Sequence, residues 1–435
     1  MQRKWFCALG LGIVCALASS MTAFAQDKAA SPTTDKLAIP ASDEGLPGAG
    51  PIRRADWFQK TWLSRRTQFA QDAASKRGTV VFFGDSITQG WGDRLNKLSP
   101  TVEIANRGIS GDTTRGMLIR LDDDVLSLKP AAVVMLMGTN DLEEQAEPAT
   151  IAANVKLIIE RLKAHNAKMP IILCNVMPSS ETKKRPADKI QSLNKLVFEA
   201  VKGDPQITVL DTWTLFANAE GNAKPEEFPD LLHPNDAGYA KWAAALRPLF
   251  ATLGFLETTA DSFQPEAGFV SLFNGKDLTG WGFRPDPKGK GRAANFDGQT
   301  ASDDGRYVAK NGRLIVTTPP EGRRVQQIWT TREFDKDFTL KLEFRATPNA
   351  DSGIFIRAPQ LQCRDYPLAG PYKELKNYKP QDWNEVVVEV KGSVARCTCN
   401  GEVLEAEFKV PPSGPIGLEG DRGQMEYRRI RIQQH

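Results

Sequence analysis

The chain of 435 residues is poor in histidine (three), in cysteine (six) and in net charge (+3). Each shortage closes off a class of function. With 56 basic residues against 53 acidic ones, there is no field to gather a polyanion, so nucleic acid is excluded as a partner on charge. Cys7 and Cys15 fall in an N-terminal apolar stretch, which leaves Cys174, Cys363, Cys397 and Cys399. Four cysteines in a chain this long do not build a disulfide scaffold. No histidine lies near Cys363, Cys397 or Cys399 in sequence, which argues against a zinc site there. Cys174, within "IILCNV", reads as a small buried hydrophobe. Cys397 and Cys399 share one face of a strand. A disulfide from one of them to Cys363 in an oxidising compartment is one expectation, and free thiols are the other. No internal repeat is present, and beyond residue 25 no apolar run approaches the length of a membrane span.

Residues 1–25 are the exception. Arg3 and Lys4 precede "WFCALGLGIVCALASSMTAFA", which Ser19, Ser20 and Thr22 interrupt and which ends on Ala23-Phe24-Ala25. A positive start, a short apolar core and a small-x-small ending read as a secretory signal peptide rather than a membrane anchor. Export to the periplasm or the medium is the expectation. Cleavage removes Arg3 and Lys4 and no acidic residue, taking the net charge from +3 to +1. Residues 26–50, rich in Pro, Gly, Ala and Ser, read as a flexible tether.

The length suggests two or three domains. Over 51–256, five short apolar runs alternate with helical periodicity: "TVVFF" (79–83), "VEIAN" (102–106), "AAVVMLM" (131–137), "PIILCNV" (170–176) and "ITVLD" (207–211). Each is rich in β-branched residues and apolar on both faces, as buried parallel strands are. Between them, "IAANVKLIIERLKAHN" (151–166) carries one apolar stripe through Ile151, Val155, Ile158, Ile159 and Leu162. The alternation predicts a doubly wound α/β domain. Residues 257–267 lose periodicity and read as an interdomain linker. From 268 to 435, ten strand signals follow one another without a helix, from "FVSLF" (269–273) to "EYRRIRIQ" (426–433). "FTLKLEFRA" (338–346) alternates cleanly, and Asn400-Gly401 is a hairpin turn signal. An antiparallel β-sandwich is expected.

In an open parallel sheet, chemistry gathers at the carboxyl ends of the strands. Ser86 follows the first strand in "GDSIT", Gly108 the second in "NRGISGDTT", and Asn140 the third in "GTNDL". "DLLHPNDAGY" supplies Asp230 and His233 after the fifth. These residue types suit acyl transfer. Ser86 is a nucleophile that needs a base, His233 can take and return its proton, and Asp230 can orient the imidazole. The Ser86 and Gly108 N–H groups and the Asn140 amide are candidate oxyanion donors. His165 ends an amphipathic helix and His435 ends the chain, so neither is placed like a catalyst. Asp85, Asp112 and Asp141 are expected to be turn formers, and Asp122–Asp124 a solvated charge run. Ser86 as a plain helix cap is the competing reading.

"GDSIT", the glycine of "NRGISGDTT", "GTND" and "DLLH", in that order over about 75–250, resemble the four sequence blocks of the SGNH/GDSL hydrolase superfamily. The resemblance implies a flavodoxin-like three-layer α/β/α fold and a cofactor-free Ser-His-Asp esterase, with Ser86, Asp230 and His233 catalytic. It also implies an oxyanion hole from Ser86, Gly108 and Asn140. The wording is most similar to the branch holding platelet-activating-factor acetylhydrolase-like and carbohydrate acetyl-esterases, which leans the acyl group toward acetyl.

"GFVSLFNGKDLTGW" (268–281), "NADSGIFIR" (349–357), "DWNEVVVEVKG" (382–392), "NGEVL" (400–404) and the closing "GPIGLE…YRRIRI" resemble the 3-keto-disaccharide hydrolase-type domain, a concanavalin/laminin-G-like sandwich. Apart from His435 this part has no histidine, and "GLEGDRGQ" stands where that family tends to carry one. Trp281, Trp329, Tyr366, Tyr372, Tyr378 and Trp383 are candidates to stack on sugar rings, with Trp281 and Trp329 better read as core. Asp351, Arg357 and Glu419 are candidates for a polar cleft. The expected function is an exported serine esterase removing acyl groups, acetyl above all, from a carbohydrate that the sandwich binds or processes. No cofactor, metal or nucleic acid is expected. The alternatives are a glycosidase acting on 3-keto-glycosides through the sandwich, with the esterase auxiliary, and a non-enzymatic carbohydrate binder.

Overall fold

The computed structural model describes residues 34–99, 102–256, 262–285, 289, 291–317 and 326–435. The expected signal peptide, the first part of the tether (26–33) and part of the linker (257–261) lie outside the described residues.

Five parallel strands, β1 (Val80–Gly84), β2 (Ile104–Gly108), β3 (Ala132–Leu136), β4 (Ile171–Cys174) and β5 (Ile207–Leu210), form one sheet in the order β2-β1-β3-β4-β5. That is the flavodoxin-like order. The apolar character of both faces has a direct cause. Val80 and Phe82 of β1 pack under Trp242, Leu246 and Phe250 of the helix Asp236–Leu253. Val81 and Phe83 face Met117, Leu121 and Ile158, from the helices Thr114–Asp124 and Pro148–His165. Helices therefore cover both faces, and a single polar residue in β1 would be stranded between them. The helix expected over 151–166 is that second one, extended at its start by Pro148, which fits the first turn.

Part of the tether is not free. The indole Nε1 of Trp62 donates to Leu37 O at 2.9 Å, and Asn154 exchanges hydrogen bonds with the backbone of Ala49 at 3.1 and 2.8 Å. Asp43 receives Arg54 and Arg115. The second half of the segment is thus laid along the α/β domain by specific bonds that composition does not reveal.

The remainder is all antiparallel. One sheet runs, in spatial order, Glu402–Lys409, Val394–Cys399, Asn384–Lys391, Phe338–Ala346, Met425–Gln434, Arg313–Val316 and Tyr307–Lys310, with Val270–Ser271 added beside Met425–Gln434. The other runs Gln360–Gln362, Asp351–Ile356, Ile416–Arg422, Ile328–Thr330, Trp281–Phe283 and Ala294–Asn295. Their inner faces share one apolar core, in which Leu340, Leu342 and Phe344 of one sheet and Ile354, Ile356 and Leu418 of the other are all buried. The Asn400-Gly401 turn has φ of 47° and 84°, both left-handed, as a two-residue hairpin needs. All ten sequence-predicted strands are present. Trp281–Phe283, Ala294–Asn295, Tyr307–Lys310 and Gln360–Gln362 are additional.

The sandwich touches the α/β domain at the end of the helix Asp236–Leu253. Arg313 Nη2 donates to Ala251 O at 3.0 Å, and Gln424 Nε2 to Thr252 Oγ1 at 2.9 Å. A guanidinium at a helix C-terminus also meets the negative end of the helix dipole. Asn349 Nδ2 reaches Asp211 Oδ2 at 2.9 Å. Among the described residues no helix is long and apolar enough to cross a membrane.

Candidate active site

β1 ends at Gly84, and the chain turns at once into the short helix Ser86–Gln89. The turn is crowded: a Cβ on Gly84 would lie 2.2 Å from Thr88 Oγ1 and 2.3 Å from Leu136 O, so only glycine fits. Asp85 caps the helix, its Oδ1 accepting the Ile87 N–H at 2.9 Å. The capping role considered for Ser86 therefore belongs to Asp85, and the Ser86 hydroxyl is left to point elsewhere.

It points to His233. Ser86 Oγ lies 2.9 Å from His233 Nε2, and His233 Nδ1 lies 2.7 Å from Asp230 Oδ2. The other oxygen of Asp230 accepts the N–H groups of His233 at 2.7 Å and Leu232 at 3.1 Å. Burial works against ionisation of this carboxyl, but those N–H groups and the imidazole outweigh it and hold its pKa at about 2. An ionised carboxylate only accepts, so Nδ1 carries the proton and the Nε2 lone pair faces Ser86. The backbone arranges this: Leu231 is left-handed (φ 62°), which turns the segment back on Asp230 before the helix Asp236–Leu253 begins.

Asn140 is 3% exposed, in the short helix Thr139–Glu143 that follows β3. Its Nδ2 donates to Asp112 O at 2.9 Å and its Oδ1 accepts from Arg185 Nη2 at 3.0 Å. The other N–H of the amide has no acceptor among the described residues.

Gly108 behaves differently from expectation. Its N–H already donates to Asn106 Oδ1 at 3.0 Å. Its missing side chain has another reason: a Cβ would stand 2.3 Å from Gln89 N and 2.8 Å from Asp85 O, against the backbone that carries Ser86. The rest of this loop can be accounted for donor by donor. Ile109 N–H goes to Gly84 O, Ser110 N–H to Gln89 Oε1 at 2.8 Å, and Asp112 N–H to Ile109 O. In the run 108–112, Gly111 is the residue whose N–H has no acceptor among the described residues. Its neighbour's carbonyl, Asp112 O, is the one Asn140 holds. Gly111 is left-handed (φ 85°), and Trp57 Cη2 would sit 2.5 Å from a Cβ there. Sequence reasoning passed over this second glycine because "NRGISGDTT" offers two and spacing does not rank them.

Beneath the site lies buried charge that the sequence reading took for turn chemistry. Burial pushes Asp85 up to about 6, Asp112 to about 7 and Asp141 to about 6. Asp112 pairs with Arg120 at 2.7 Å, and Arg120 also donates to Gly84 O and Arg107 O, tying the ends of β1 and β2 together. Asp141 accepts the N–H of Thr114. Of the expected solvated run, Asp124 is instead buried, held by Arg66 at 3.1 Å. His165 is exposed, and His435 lies beside Thr339 Oγ1, both apart from the site. Among the described residues no group of three His, Cys, Asp or Glu is placed to hold a metal.

In the sandwich, Trp281 and Tyr366 are wholly buried, and Tyr378 is buried. Trp329, expected in the core, is not: it lies on the outer face of the six-stranded sheet, paired with Phe355 at 5.0 Å. Gly417 makes room for it, since a Cβ there would be 2.6 Å from the ring. By strand alternation Gln327, Glu419 and Asp351 share that face. Glu419 accepts Gln327 Nε2 at 2.8 Å and also Gln360 Nε2, and burial raises its pKa. Arg357 does not join them; it is buried and donates to Lys336 O, Pro411 O and Gly392 O. Tyr372 is half-buried and bonded to Glu405, and Trp383 is half-buried, with Arg428 4.0 Å and Arg345 4.7 Å from its ring. All four described cysteines are buried free thiols, so of the two expectations for Cys363, Cys397 and Cys399 the structure shows the unpaired one.

Residues 82–241 match the profile of the GDSL-like lipase/acylhydrolase family, and residues 268–433 that of a 3-keto-alpha-glucoside-1,2-lyase-like domain. The chain is 30% identical over 206 residues to the human and bovine platelet-activating factor acetylhydrolase IB subunit alpha2, a match covering 47% of this chain and 88% of each of those. A solved GDSL-like lipase from Bacteroides thetaiotaomicron is 29% identical, with a TM-score of 0.38, covering 43% of this chain and 97% of that one.

Proposed function

The chain belongs, through its α/β domain, to the GDSL-like lipase/acylhydrolase family, and from that premise we propose that it is an exported serine esterase. It would remove short acyl groups, acetyl above all, from a carbohydrate. The observation that carries the reading is the hydrogen-bonded series Ser86 Oγ, His233, Asp230.

The chemistry follows from the geometry. Ser86 Oγ attacks the ester carbonyl carbon while its proton passes to His233 Nε2, and Asp230 steadies the resulting imidazolium. The carbonyl oxygen becomes an oxyanion, received by the N–H of Ser86 and the free N–H of Asn140 Nδ2. The third donor we assign to the N–H of Gly111 in place of Gly108, whose N–H Asn106 occupies. His233 then returns the proton to the departing alkoxide of the sugar. Water, deprotonated by His233, attacks the acyl-enzyme; a second oxyanion forms and collapses, releasing the carboxylic acid and restoring Ser86.

The sandwich supplies the carbohydrate side of the proposal. Trp329 and Phe355 offer aromatic faces for the C–H face of a sugar ring, with the Glu419 carboxylate and the Gln327 and Gln360 amides beside them for its hydroxyls. A second reading rests on the 3-keto-alpha-glucoside-1,2-lyase-like match over 268–433, with Glu419 as the outward carboxyl. In it the sandwich itself processes oxidised glycosides.

One pair of proteins separates these readings. Wild type and Ser86→Ala are assayed on p-nitrophenyl acetate, on an acetylated oligosaccharide and on a 3-keto-glucoside. Ester hydrolysis that disappears with Ser86 supports the esterase; ester hydrolysis unchanged by Ser86→Ala overturns it. Consumption of the keto-glucoside by Ser86→Ala would move the chemistry to the sandwich.

A further inference from the structure

Arg185 is 2% exposed, in the loop between β4 and the helix Ala187–Val201. Every N–H direction it uses is spoken for. Nε donates to Thr139 O at 2.9 Å and Thr139 Oγ1 at 3.0 Å; Nη1 donates to Lys183 O at 2.6 Å. Nη2 donates to Asn140 Oδ1 at 3.0 Å and to Glu143 Oε2 at 3.0 Å. Arg53 donates to Glu143 Oε2 from the other side at 2.7 Å. A planar fork with this many fixed partners is rigid, and it sits directly behind the Asn140 amide.

We propose that Arg185 is a positioning residue for acyl transfer, which orients and polarises the Asn140 side chain as an oxyanion donor. The orientation is forced from both ends. Arg185 can only donate and Asp112 O can only accept, so Oδ1 must face Arg185 and Nδ2 must face Asp112. Rotating the amide by half a turn would set its NH2 against a guanidinium and its oxygen against a carbonyl. The remaining N–H of Nδ2 is thereby aimed by the amide plane rather than left to rotate. A cationic hydrogen bond to Oδ1 also draws electron density through the amide, which makes the N–H groups stronger donors. Both effects grow as the oxyanion forms, so they belong to the transition state rather than to substrate binding. A purely structural clamp, joining the loop to the helix Thr139–Glu143, would act on stability and not on that step.

The inference rests on the esterase reading, and the experiment separates the two. Wild type, Ser86→Ala, Arg185→Met, Asn140→Ala and the Arg185→Met/Asn140→Ala double variant are assayed on p-nitrophenyl acetate. Loss of one oxyanion donor costs about 100- to 1000-fold in kcat. Arg185→Met is expected to cost about 10- to 100-fold in kcat, with KM changed less than about threefold, because the donor is misaimed rather than removed. With Asn140 already Ala, the same change should cost less than about threefold, since Arg185 then has no amide to aim. Equal losses in both backgrounds, or a wild-type kcat in Arg185→Met, would overturn the inference. Should Arg185→Met fail to fold, Arg185→Lys is scored by the same comparison. Turnover independent of Ser86 would instead overturn the esterase reading, and the inference with it.

Discussion

Ser86 Oγ and His233 Nε2 stand 2.9 Å apart although 147 positions separate them along the chain. The contact exists because β1 delivers one residue and the segment ahead of the helix Asp236–Leu253 delivers the other. Asp230 completes it as a carboxylate with a pKa of about 2. Asp230→Asn should lower kcat on p-nitrophenyl acetate by up to about 10⁴-fold, since an amide can stabilise the wrong imidazole tautomer. Circular dichroism should be unchanged. Because its folded pKa is depressed, Asp230 adds stability above about pH 4, which is lost as the pH falls toward 2. The pH profile of wild-type kcat should therefore show no inflection from Asp230 above pH 4, and one there would count against the assignment.

Gly108→Ala should disturb the backbone that carries Ser86. Its new Cβ meets backbone atoms, Gln89 N at 2.3 Å and Asp85 O at 2.8 Å, which cannot swing away as a side-chain tip would. A loss of about 1–3 kcal/mol is expected, read as a lower urea midpoint, with a fall in kcat as the helix bearing Ser86 shifts. An unchanged midpoint would mean that this approach is looser than described.

Asp85 offers a test of the charge buried under the site. Its folded pKa of about 6 lies above the ordinary 3.8 because burial penalises the ion. The folded state thus binds a proton that the unfolded state has released between pH 4 and 6, and stability falls as pH rises through that window. Asp85→Asn keeps an oxygen for the Ile87 N–H and removes the titration. The decline in unfolding free energy from pH 4 to 7 should shrink by about 3 kcal/mol in the variant, measured by urea titration at each pH. Parallel curves for the two proteins would refute the expectation.

Two tryptophans should separate stability from binding. Trp281 is wholly buried, and Trp281→Ala should cost about 3–5 kcal/mol. Trp329 lies outside the core, over Gly417 and against Phe355. Trp329→Ala should change the urea midpoint little while weakening retention in gels containing an acetylated polysaccharide. A large stability loss with retention unchanged would return Trp329 to a packing role.

Much of this was legible from residues alone, and the failures share a cause. The five parallel strands showed themselves because burial on both faces leaves an unbroken apolar run, as in "TVVFF". Ser86, Asn140, Asp230 and His233 stood out because each follows a strand and carries a chemistry the others need. What escaped depends on partners distant in sequence. Nothing near Asp124 announces Arg66, 58 positions earlier, so a run of three aspartates reads as solvated. Nothing near Gly108 announces that Gly84 and Gln89 take the N–H groups of Ile109 and Ser110, so the choice between two glycines needed the loop's hydrogen bonds. Arg185 sits in "TKKRP", among lysines that look like any polar loop. Trp329 alternates correctly within its strand, but which face is outer is settled by the second sheet.

The helix Asp236–Leu253 carries one more implication. Its 18 residues make a rod of about 27 Å. One end begins just beyond His233, and the other is gripped by Arg313 at Ala251 O and by Gln424 at Thr252. The sandwich and the segment carrying His233 therefore meet opposite ends of one helix, whose middle lies against β1 through Trp242, Leu246 and Phe250.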